Sequence, residues 1–189
     1  MWQRVVAWFW GHVLVAGFQW ARKNGGRLPF AAYEERVKTW HTSFVDLAII
    51  HRSGYDRKKV QILLQRRPEK GYVYPGMWDI PGGNVGQRES LLGAAWRMAS
   101  LLGGFSSQGE PLPAGVATYT QTPAEVGISH LFVLEIQREW PDLLPVDCKV
   151  FSLDCLPADI VPWQAAVYPD MIRRFLLQGP SFLEEYLEE

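Results

Sequence analysis

The chain is poor in the residues that usually announce a redox, zinc-binding or disulfide-bonded protein. Its two cysteines, Cys148 and Cys155, lie seven apart, which is neither a CxxC pair nor a disulfide framework. They read as reduced residues of a half-buried strand in a cytoplasmic protein. The four histidines, His12, His41, His51 and His130, are scattered without ligand spacing, so no zinc site is expected. The net charge is −1, which excludes a bulk electrostatic pull toward nucleic acid, and none is expected as a partner. No Gly-Lys-Ser/Thr follows Gly82-Gly83, so this is no Walker loop, and no G-x-G-x-x-G opens a helix after a strand. The uncharged run between Arg4 and Arg22 is 17 residues and includes His12 and Gln19, too short and too polar for a stable transmembrane span.

What the chain does have is tryptophan, nine in 189 residues, several of them in one N-terminal segment. In residues 2–21, Val5, Phe9, Val13, Ala16 and Trp20 line one helical face, and Trp10, Leu14 and Phe18 the opposite one. A helix that is apolar all round is buried, membrane-associated or shared between subunits. The expectation is an extra N-terminal apolar helix in a 1–39 extension. It would form a homodimer through residues 2–21, with attachment to a membrane surface as the alternative. Tryptophans are atypical of a signal-peptide core, so no signal peptide is expected.

From residue 40 to 189 the pattern is that of one α/β domain. Phe44, Leu47–Ile50 and Val60–Leu64 are β-rich runs, separated by the turn-like Ser53-Gly54-Tyr55-Asp56. Ala114–Thr120 and Ile128–Ile136 predict two strands joined by a 121–127 loop, and Lys149–Leu153 a further strand. Trp163–Leu177 predicts an amphipathic helix with Ala166, Met171, Phe175 and Leu176 toward the core, and Phe182–Glu189 is short and acidic. Between the strands, Leu91, Ala95, Met98 and Leu102 recur at helical spacing and form an apolar stripe, with Gly103-Gly104 as the stop. An ordinary buried helix gives the same stripe. Periodicity alone reaches a layered α/β or α+β fold.

The segment around that helix carries a more specific pattern. Gly83, Glu89, Arg97 and Gly104 are spaced by six, eight and seven residues, behind Met77-Trp78-Asp79-Ile80-Pro81-Gly82-Gly83 and the strand Val60–Arg67. Together with Phe151–Pro157 and Ile160-Val161-Pro162-Trp163, this resembles the Nudix family of MutT-like hydrolases over roughly residues 43–178. The resemblance implies a Nudix-type α/β/α sandwich with a mixed sheet. It also implies pyrophosphohydrolase chemistry on nucleoside diphosphate derivatives, driven by Mg²⁺ or Mn²⁺ held by three helix glutamates. Here those three positions are Met98, Leu101 and Leu102. Thioether and hydrocarbon offer a hard cation no oxygen ligand, so no metal is expected.

The leading expectation is therefore a Nudix-like pseudoenzyme that binds a small molecule or nucleotide-like ligand, or serves as an assembly module. One alternative is an active hydrolase recruiting Mg²⁺ or Mn²⁺ through acids elsewhere, with Glu89, Arg97, Glu125 in the 121–127 loop, Glu135 and Glu139 as candidates. Each acid also reads as a solvated surface charge, and the resemblance makes Glu89 peripheral and Arg97 an organiser of the box. The other alternative is a protein–protein adaptor working through the tryptophan-rich N-terminus. Candidate ligand contacts are Arg66, a phosphate partner or a solvated strand end, and Trp163 and Gln164, which by the resemblance stand where relatives read a base. Trp163 could stack on a flat ligand or simply cap the core, and Gln164 could pair with an amide-like edge.

Overall fold

The computed structural model describes residues 42–53, 59–70, 73–103, 105, 109–122 and 125–179. The apolar segment 2–21, the boundary at residue 39, the proposed subunit contact and the acidic stretch 182–189 lie outside these.

Seven strands form one mixed sheet: β1 (Thr42–Ser53), β2 (Lys59–Arg66), β3 (Trp78–Asp79), β4 (Gly82–Asn84), β5 (Leu112–Thr122), β6 (Glu125–Glu135) and β7 (Cys148–Ser152). The order is β3-β2-β1-β6-β5, with β4 also on β1 and β7 also on β2. β1 is the axis. One edge runs parallel to β6 from Thr42↔Gly127 to Ile50↔Glu135. Its other edge is shared, by β4 at the start (Val45↔Gly83, Asp46↔Gly82) and by β2 at the end (Ile50↔Ile62). The expected 121–127 loop is shorter than the sequence suggests. Strand pairing continues to Thr122↔Glu125, so Glu125 opens β6.

Alternation along β1 sorts its side chains to two faces. Val45, Leu47 and Ile49 pack with Leu63, Phe132 and Leu134 against helix α1 (Leu91–Leu101). Ala48 and Ile50 pack with Ile62, Leu131 and Val133 against helix α2 (Pro162–Gln178). This is the helix–sheet–helix layering implied by the resemblance. α1 begins at Ser90, whose hydroxyl accepts from the Gly93 amide at 3.0 Å. It ends where Gly103 takes φ +102°, a conformation glycine adopts without Cβ strain. α2 meets the sheet through Gln164, Tyr168, Ile172 and Phe175, with Met171 and Leu176 at the margin. Ala166, expected in the core, is exposed. Gln164 and Tyr168 set the helix phase through polar contacts that an apolar-periodicity reading does not weigh.

Candidate functional site

The Gly82-Gly83 pair is where the two layers meet. Gly83 faces α1: a Cβ there would lie 3.5 Å from the Met98 sulfur. Gly82 faces the other layer, and a Cβ there would collide with the Asp46 carboxylate. Both glycines hold β4 against β1 with a helix-bearing layer above and below.

On the α1 side, Glu89 and Arg97 form a clamp. Arg97 donates to both Glu89 carboxylate oxygens at 2.8 and 2.9 Å, and to the Asn84 carbonyl at 2.9 Å. Glu89 in turn accepts from the Gly86 amide at 2.7 Å. The hydrogen bond from Arg97 holds the Glu89 carboxyl below its ordinary range, and the same bond raises Arg97. Both side chains are consumed in fixing the loop 84–89. Met98 and Leu102 are 7 % and 4 % exposed, in the apolar cluster with Ala94, Ala95 and Phe105. Leu101 points outward at 69 % exposure. A divalent cation does not fit this donor set. Two of the three positions are sealed into the core, the third is a solvated leucine, and the neighbouring carboxylate is committed to arginine. Among the described residues no group of three His, Cys, Asp or Glu is placed to hold a metal ion.

On the α2 side lies a polar cluster that the sequence reading did not single out. The Asp46 carboxylate accepts from the Ser129 hydroxyl at 2.6 Å and from the Tyr168 hydroxyl, and those two hydroxyls are 2.7 Å apart. Asp46 is 7 % exposed, and Ser129 and Tyr168 are fully buried. Burial pushes the Asp46 carboxyl up to about 6, against the pull of the two hydroxyls and of Arg67. Close by, Arg67 donates to Asp79 at 2.7 Å. Burial lifts Asp79 to about 7, with Arg67 pulling it down and Asp46 pushing it up. Two carboxyls that exchange protons near neutral pH, beside one arginine, can accept hydrogen bonds from a polar ligand or move a proton. The signal in the sequence was Asp46 itself, an acid inside the apolar run FVDLAII.

The other predicted residues are placed as follows. Gln164 is 3 % exposed, and its side-chain oxygen accepts from the Ile80 amide at 2.9 Å, so it pins the loop before Gly82. Trp163 stacks on Tyr119 at 4.4 Å and 8°, and meets Tyr168 edge-on at 5.1 Å. One face of its ring is thus covered by protein. Arg66 is half-exposed, 3.5 Å from Asp159, with its guanidinium 5.4 Å over the Trp78 ring. Glu135 is gripped by Arg52 through two 2.7 Å bonds, away from the cluster, and Glu139 is exposed. Cys148 is half-buried and Cys155 exposed, both free; burial pushes the Cys148 thiol up to about 12, leaving it a poor nucleophile.

No protein-family model matches the chain, and no curated relative does. Solved structures do. A MutT/Nudix family protein from Listeria innocua shares 20 % identity at a TM-score of 0.57, over 78 % of this chain and 98 % of that one. The Nudix domain of Shewanella oneidensis NrtR, solved with ADP-ribose, shares 13 % identity at 0.56, over 76 % and 97 %. The C-terminal domain of mouse MUTYH, solved in complex with human PCNA, shares 10 % identity at 0.58, over 71 % and 89 %. Identities this low speak for architecture alone, and the architecture is plain: the chain has the Nudix fold of the MutT-type proteins.

Proposed function

We propose that this is a Nudix-fold binding protein that does not carry out metal-dependent pyrophosphate hydrolysis. The observation that carries the reading is the burial of Met98 and Leu102 in the α1 core. The face that would gather metal has become packing, while the Glu89–Arg97 clamp still shapes the loop. The Asp46–Asp79–Arg67 cluster supplies polar groups suited to a small ligand, and the NrtR domain with its ADP-ribose gives a precedent on the same fold. No helix among the described residues is long and apolar enough to cross a membrane. We further propose a cytoplasmic homodimer, on the reduced cysteines and the apolar segment 2–21 of the sequence. The test is a thermal-shift screen of nucleotides and nucleotide sugars with and without Mg²⁺ or Mn²⁺. A ligand at a hundredfold excess over its dissociation constant stabilises by about 2.7 kcal/mol, which is readily seen. Stabilisation independent of metal supports the proposal; stabilisation and turnover that require metal overturn it.

A second reading, an assembly module, is favoured by Leu101, Leu143 and Val146, exposed at 69 %, 90 % and 105 %. Exposed apolar side chains mark protein contact where they lie together, and Pro145, between Leu143 and Val146, lies 4.0 Å from where a Cβ on Gly103 would sit, two residues past Leu101. The MUTYH domain bound to PCNA shows the fold taking a protein partner.

A further inference from the structure

The buried network under α2 has a property that does not depend on any ligand. α2 is tied to the Gly82 region by two buried polar contacts: Tyr168 to Asp46 and Ser129, and Gln164 to the Ile80 amide. Asp46 pairs in register with Gly82, so the same carboxylate touches α2, β6 and β4 at once. We propose that Asp46, Ser129 and Tyr168 form a proton-operated latch, closed on α2 and β4 when Asp46 is protonated and loosened when it is ionised.

The chemistry of the surroundings supports this. With a proton on Asp46, three hydroxyl groups meet three acceptors, and a neutral ring of hydrogen bonds satisfies every member. Without it, a full negative charge sits in a buried site. Its partners there are the two neutral hydroxyls, Tyr168 from α2 and Ser129 from β6. β4 presents glycine backbone. Among the described residues the facing cation is Arg67, just past β2, already bonded to Asp79 of β3, whose own charge repels Asp46. Tyr119 of β5 lies close enough to act on Tyr168 but brings no positive charge. A buried charge so weakly compensated favours any motion that admits water. The parts free to give way are the first turns of α2 and the strand at Gly82.

Hydrogen exchange on the full chain tests the latch. Rates at pH 5 and pH 8, divided by the intrinsic amide rates, should show protection of residues 78–84 and of the first half of α2 falling at least tenfold from pH 5 to pH 8. Asp46→Asn should abolish that fall, whereas Asp79→Asn should keep it. Tyr168→Phe, which keeps the ring and removes the hydroxyl, should lose protection already at pH 5. Wild-type protection that is flat with pH, a fall that survives in Asp46→Asn, or wild-type protection in Tyr168→Phe at pH 5 would each overturn the proposal.

Discussion

Placing carboxylates at positions 98 and 102 should unfold the protein instead of creating a metal site. In the double substitution Met98→Glu, Leu102→Glu, both side chains enter a core where their predecessors are 7 % and 4 % exposed. Losing the hydrocarbon burial costs about 2 kcal/mol at each position. Keeping each new acid neutral at pH 7.5 demands a rise of about three pKa units, or about 4 kcal/mol apiece. Arg97 softens the cost at position 98, since its Nη1 is already 3.8 Å from the Met98 sulfur, but Glu89 and the Asn84 carbonyl compete for that guanidinium. The sum, on the order of 10 kcal/mol, rivals the whole stability of a domain, about 5–15 kcal/mol. Leu101→Glu, at 69 % exposure, is the internal control and should change stability by less than about 0.5 kcal/mol. Because the folded-state pKa of the new acids is raised, the damage should be milder at pH 5 than at pH 7.5. Thermal and urea melts followed by circular dichroism measure all three proteins, and calorimetry with Mg²⁺ measures metal binding. A double mutant that melts like wild type and binds Mg²⁺ would mean the face is an open site merely lacking ligands, and the repacked-core reasoning would fail.

Four further outcomes follow from the same structure. Purified protein should show no Mg²⁺-dependent hydrolysis of nucleoside triphosphates, ADP-ribose or dinucleoside polyphosphates; turnover above about 1 s⁻¹ that EDTA abolishes refutes this. Glu89→Gln should cost about 1 kcal/mol, a drop of about 2–4 °C in Tm, because the clamp is only partly buried and solvent screens it; an unchanged Tm would show the 84–89 loop is held by other contacts. Asp46, with its carboxyl lifted from 3.8 to about 6, contributes stability that is full below about pH 4 and lost as pH rises through 6, so Asp46→Asn should melt higher than wild type at pH 8, by at most about 3 kcal/mol, and a lower Tm there contradicts the sign. Deleting residues 1–24 should convert a homodimer to a monomer in light scattering; a monomeric full-length protein, or a truncated one that is as tight a dimer, disproves the proposed contact.

Local pattern made the α1 layer readable in advance. The stripe Leu91, Ala95, Met98, Leu102 is a helical period, and a helical period packs toward whatever sheet lies beneath it. The strands at Leu47–Ile50 and Val60–Leu64 carried their own β-rich signal. The α2 layer was less readable because a polar cluster sits inside its apolar core. Ser129 and Tyr168 reach Asp46 from 83 and 122 residues away, and Glu135 meets Arg52 from 83 away. No spacing rule links positions so distant. Trp163 and Gln164 were ligand candidates through the resemblance, which sets them where relatives read a base, with core capping by Trp163 as the other reading. The Ile80 amide and the Tyr119 ring, which turn the start of α2 inward, belong to other parts of the chain.

The box also separates into two physical jobs that its sequence spacing runs together. Glu89 and Arg97 close the loop onto the Asn84 carbonyl and the Gly86 amide, which holds the loop 84–89 at the end of β4 whether or not any metal is near. Positions 98 and 102 pack against the sheet and 101 faces water, and this packing leaves the clamp beside it intact. The glycines, Glu89 and Arg97 therefore speak for shape. On the other side of the same glycine pair, Asp46 lies under Tyr168 of α2 and Asp79 is bonded to Arg67, two carboxyls that burial lifts toward neutral pH.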